Sequence, residues 1–100
     1  MRGSKRELES IAEDATTDCY GEYEQMACWC EYLQSVIELP CKCRIDQKEL
    51  LLTGFDVGKS GLCVLAVVRL HTDEFKVAAE TVTILNGKYS NYLTAYREWL

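Results

Sequence analysis

Residues 20 to 40 read Tyr20-Gly21-Glu22-Tyr23-Glu24-Gln25-Met26-Ala27-Cys28-Trp29-Cys30-Glu31-Tyr32-Leu33-Gln34-Ser35-Val36-Ile37-Glu38-Leu39-Pro40. At about 100° per residue, Met26, Trp29, Cys30, Leu33, Val36 and Ile37 fall on one face, and Glu24, Glu31 and Glu38 recur on the opposite side. The spacing predicts an amphipathic helix from about Tyr20 to Leu39 with an acidic back. Pro40, which has no N–H and clashes with the preceding turn, ends it.

Upstream, Ser4-Lys5-Arg6-Glu7 fits a capping box, and Leu8, Ile11, Ala12 and Ala15 follow at helical spacing. A short helix over 5–15 is expected, broken by Thr16-Thr17-Asp18. Downstream of Pro40 the period changes to that of strands, in 41–45, 50–57, 62–71 and 75–85. Turns fall at Gly58-Lys59-Ser60-Gly61 and His71-Thr72-Asp73-Glu74. Asn86-Gly87 then opens a last helix over 88–100, with Tyr89, Tyr92, Leu93, Tyr96 and Trp99 at helical spacing.

The predicted fold is α+β and a single domain over residues 1–100. N-terminal helices lead into a small antiparallel SH3-like sheet or barrel, and a C-terminal helix packs on it. Barrel-like curling is expected because short meandering strands otherwise leave both edges open to pairing. A hydrophobic content of 48% in 100 residues is globular rather than disordered.

The net charge of −5 is unevenly placed. Residues 7 to 38 hold nine acids and neither lysine nor arginine, residues 1 to 6 carry +3, and residues 39 to 100 carry +1. With no basic stripe, direct nucleic-acid binding is excluded. The longest apolar run, Leu62 to Val68, is too short for a bilayer, and no segment resembles a signal peptide. A cytoplasmic protein is expected, with its six cysteines reduced.

Several motifs fail on spacing. Gly54-Phe55-Asp56-Val57-Gly58-Lys59-Ser60 has one residue too few for a phosphate loop and precedes a strand instead of a helix. In Cys28-x-Cys30 the two thiols point about 200° apart on a helix, and Cys41-x-Cys43 supplies half a zinc site at most. His71, the sole histidine, sits in a turn beside Asp73 and Glu74 with no nucleophile to serve. No catalytic signature emerges, so an enzyme is not expected.

The carboxylates remain. No EF-hand loop is present, and Glu24, Glu31 and Glu38 stand roughly 10.5 Å apart along the helix, too far to chelate one ion. The segment Asp14 to Glu24 is denser: Asp14, Asp18, Glu22 and Glu24 lie beside carbonyls expected to be free where one helix ends and the next begins. These four are the candidate metal ligands. The positive dipole end of the second helix opposes a cation there, which tempers the site.

The run Asp18-x-Tyr20-Gly21, with Glu24-Gln25, Trp29, Tyr32-Leu33 and Pro40, resembles the bacterial CcbP family of small calcium-binding proteins. The closing Tyr96-Arg97-Glu98-Trp99-Leu100 is similar to that family's aromatic C-terminal helix. The likeness extends in order over residues 11–100 and is specific over 18–40. It implies a helix leading into an SH3-like sheet, and calcium buffering or signalling through surface acids. Asp18 and Glu24 match motif positions, whereas Asp14 and Glu22 come from local charge density. Cys28, Cys41 and Cys43 depart from the pattern.

The leading expectation is thus a non-enzymatic protein that binds Ca²⁺ at Asp14, Asp18, Glu22 and Glu24. The rival is an acidic interaction module, or nucleic-acid-mimicking inhibitor, that docks a basic protein partner without metal. A thiol sensor or zinc protein is a third class.

Overall fold

The computed structural model describes residues 5–100. The Ser4 capping box therefore lies outside the described residues. The order is α1 (Lys5–Ala15), α2 (Glu22–Val36), β1 (Cys41–Ile45), β2 (Lys48–Val57), β3 (Val64–Leu70), β4 (Asp73–Ala78), a 3₁₀ turn (Ala79–Thr81), β5 (Thr83–Ile84) and α3 (Gly87–Trp99). The class is α+β.

α2 closes earlier than the hydrophobic pattern suggests. Ile37 leaves helical geometry while its N–H still donates to the Leu33 carbonyl, 3.1 Å, so the side chains of Val36 and Ile37 stay on the core side as the chain turns toward Pro40. Trp29 and Leu33 are fully buried. Trp29 is the hub of an aromatic cluster, with ring centroids 5.3 Å from Tyr96, 5.7 Å from Trp99 and 6.0 Å from Tyr32. That cluster binds α2 to α3 through edge-on and tilted contacts of the kind aromatic quadrupoles favour.

The sheet is antiparallel with strand order β4-β3-β2-β1-β5. It is open, with β4 and β5 at its edges, so the barrel closure expected of a curled SH3-like sheet is not formed. Residues 75–85, expected as one strand, are two. The 3₁₀ turn buries Ala79, and Val82 follows it into the core, which carries the chain off β4 and across to pair with β1, where it forms the far edge as β5. Arg97 of α3 fastens this crossover, donating to the carbonyls of Glu80, 3.0 Å, and Val82, 3.1 Å. The edges are blunted by charge in β4 and by the two-residue length of β5.

Register in β2 depends on a bulge between Leu52 and Gly54. Side chains alternate faces along a strand, so one extra residue lets Leu50, Leu52 and Phe55 all point inward. They meet Val64, Ala66 and Val68 of β3 in one cluster with the helical core. The Phe55 N–H at the bulge donates to Gln34 Oε1 of α2, 3.4 Å, and the Val64 N–H donates to the Tyr96 hydroxyl, 3.1 Å. Among the described residues, no helix is long and apolar enough to cross a membrane.

Candidate cation site

The junction between α1 and α2 is tightly organised. Asp14 lies in the last turn of α1, Asp18 in the connecting turn at φ 60°, and Glu22 and Glu24 in the first turn of α2. All four are exposed. Asp tolerates the left-handed region better than most residues, because its short side chain bonds locally. Here Asp18 Oδ1 accepts a long bond from the Tyr20 hydroxyl, 3.4 Å.

Four of the carbonyls at this junction, those of Ala12, Glu13, Thr16 and Cys19, are engaged. Thr16 and Thr17 turn their hydroxyls back to the Ala12 and Glu13 carbonyls in the last turn of α1, both at 2.8 Å. The Cys19 N–H donates to the Thr16 carbonyl at 3.0 Å, and Gln25 Nε2 donates to the Cys19 carbonyl at 3.1 Å. Gln25 thus staples the turn to α2. These four backbone oxygens are therefore already hydrogen-bonded, and the exposed carboxylates supply the charge a cation would seek.

A disulfide joins Cys19 to Cys28, correcting the expectation that all six cysteines are reduced. It follows from α2's helical phase. Cys28, two positions from the buried Cys30, is turned off the core face as the spacing required, and that direction brings it to the turn holding Cys19. Sequence reasoning missed the pairing because contact between residues 19 and 28 depends on how the turn folds back, which helical periodicity does not describe.

The other four cysteines are free thiols. Burial pushes the Cys43 thiol up to about 11, with its neighbour Cys41 adding repulsion, and burial also raises Cys41 and Cys30. Raised values keep these thiols protonated at neutral pH, the opposite of what a reactive or metal-gripping cysteine needs.

Among the described residues, no three His, Cys, Asp or Glu side chains converge into a group that could hold a metal ion as they stand. The structure gathers Asp14, Asp18, Glu22 and Glu24 at one junction but does not arrange them as a cage. Glu22 and Glu24, two positions apart on a helix, point in divergent directions. Glu31 lies on the exposed face of α2, and Glu38 beyond its end accepts from the Tyr89 hydroxyl at 3.0 Å. A cleft of about 430 Å³ between α1 and α3, lined by Lys5, Leu8, Glu9, Ala12, Ala95, Glu98 and Trp99, contains none of the four candidate ligands.

Neither a family model nor a curated protein matches the sequence. Solved structures do match the fold. The crystal structure of Anabaena CcbP superposes with a TM-score of 0.79 at 13% identity, covering 97% of this chain and 91% of that one. A calcium-binding protein in its calcium-binding form superposes at 0.77 with 14% identity, covering 95% and 90% of the two chains. At such low identity the likeness speaks for architecture. The chain thus shares the fold of Anabaena CcbP over nearly its whole length.

Proposed function

We propose that this protein binds Ca²⁺ without enzymatic chemistry, as a buffer or signalling protein, through Asp14, Asp18, Glu22 and Glu24. The observation that carries the reading is the placement of four exposed acids at one disulfide-pinned junction, within a 32-residue stretch that has no base. The fold adds weight, since one of its neighbours is a calcium-binding protein in its calcium-binding form.

Calcium suits such a surface better than magnesium does. It accepts six to eight oxygens in irregular geometry and exchanges water readily, whereas magnesium demands a near-ideal octahedron and keeps its hydration. Carboxylates that must be drawn together around the ion lose side-chain freedom, and the helix dipole of α2 opposes the charge. The compensating gain is relief of repulsion among nine unbalanced acids.

Calorimetric titration with Ca²⁺ tests the assignment. Asp18→Asn and Glu24→Gln are each expected to weaken binding about tenfold, equivalent to roughly 1.4 kcal/mol, whereas Glu31→Gln changes it little. Equal effects at all three positions would instead describe a diffuse ion atmosphere.

A further inference from the structure

Two tyrosines beside the acidic junction stand largely in water, Tyr20 at 84% exposure and Tyr23 at 65%. Along the chain they interleave with exposed carboxylates in Asp18-Cys19-Tyr20-Gly21-Glu22-Tyr23-Glu24. Tyr23 is held in place by Gly61 on the β2–β3 connection. A Cβ at Gly61 would collide with Tyr23 Cδ1, so the ring lies directly against the bare glycine, which also holds φ +73°. Leu62, the residue after Gly61, is 44% exposed. The Cys19–Cys28 disulfide fixes the backbone beneath both tyrosines.

Positioned aromatic rings lose little freedom when covered, and tyrosine is enriched at the energetic centre of protein interfaces. The charge around these rings selects the partner. Asp18, Glu22 and Glu24 flank them, no lysine or arginine occurs from residue 7 to 38, and the single nearby base in sequence around Gly61 is Lys59. A guanidinium can stack on a tyrosine face while its fork engages a carboxylate; a lysine ammonium is a hydrated point charge and does this less well.

We propose that Tyr20, Tyr23 and Leu62, with Asp18, Glu22 and Glu24, form a docking surface for an arginine-rich segment of a partner protein. This surface operates without calcium, so its failure and that of the calcium site are separable.

The test uses the full chain with its disulfide intact, in chelator, and a fluorescent nona-arginine peptide followed by anisotropy. Tighter binding of nona-arginine than of nona-lysine is expected. The Tyr20→Ala/Tyr23→Ala pair should weaken nona-arginine binding about fivefold to thirtyfold, from two exposed cation–π contacts, while Tyr20→Phe/Tyr23→Phe retains it. Glu22→Gln/Glu24→Gln should weaken it more than Glu9→Gln/Glu13→Gln, which removes the same charge elsewhere. Circular dichroism melts confirm that each variant is folded. Affinity unchanged in the folded Ala pair, or lowered equally by both acid pairs, overturns the proposal. Tyrosine-dependent self-association in sedimentation would also overturn it, because the surface would then belong to a second copy of this chain.

Discussion

Gly61 and Tyr23 show how one missing side chain shapes the surface. Gly61→Ala forces a Cβ into a left-handed position and against an aromatic ring, so a loss of about 1–2 kcal/mol in urea denaturation is expected, with a changed tyrosine signal in near-UV circular dichroism. Cys43 makes a second residue-scale prediction. Its thiol in the folded protein titrates near 11, above the ordinary value of 9.0, so the neutral form is favoured by folding. Between those values the unfolded chain releases a proton that the native chain keeps. Stability should be flat with pH below about 9 and then fall by up to about 1.4 kcal/mol per unit for this group, as measured by urea midpoints from pH 7 to 10.5. A rise in stability over that range would contradict the buried placement of Cys43. The sequence anticipated burial of Trp29, Cys30, Leu33 and Tyr96 from helical spacing, but it could not reveal the Gly61–Tyr23 contact, which joins residues 38 apart.

Elements carried the readable part of the fold. Helical periodicity marked α1, α2 and α3, and alternation marked β1 to β4, because each pattern reflects one buried face. What stayed hidden were the non-periodic joints. The β1–β2 turn places Asp46 and Gln47 at φ 49° and 70°, a hairpin geometry whose usual signal is Asn-Gly or Asp-Gly. The 3₁₀ turn at Ala79–Thr81 is too short to have a period, and it carries the chain from one edge strand, β4, to the other, β5. Arg97 is the joint's fastener, so Arg97→Ala should cost about 2–3 kcal/mol through two lost charge-assisted bonds, with hydrogen exchange rising first in β5. Exchange rising first in β1–β2 would argue against that role. At the other end of the chain, the Cys19–Cys28 bridge closes a short loop, and chain-entropy reasoning assigns it about 3 kcal/mol. Cys19→Ser/Cys28→Ser should lower stability by that order, with amide exchange accelerating in residues 16–25 ahead of the Trp29 cluster.

At the scale of the whole molecule, one acidic helical third is set against a nearly neutral sheet and C-terminal helix. Charge density found the junction, yet it could not show that the Ala12, Glu13, Thr16 and Cys19 carbonyls there already accept from Thr16, Thr17, Cys19 and Gln25. Nor could it show that the four acids gather without converging. An ion bound by the folded chain alone must raise stability, by about 2.7 kcal/mol at one hundred times its dissociation constant. For a chain of this length that amounts to a rise of roughly 10–20 °C in melting temperature. The most direct test is therefore a melting-temperature titration with Ca²⁺ and Mg²⁺ at matched ionic strength, on the native chain, Asp18→Asn and Glu24→Gln. A saturable shift larger for Ca²⁺ than for Mg²⁺ and reduced in both variants is expected; equal small shifts for the two ions that persist in both variants would contradict a calcium site at this junction.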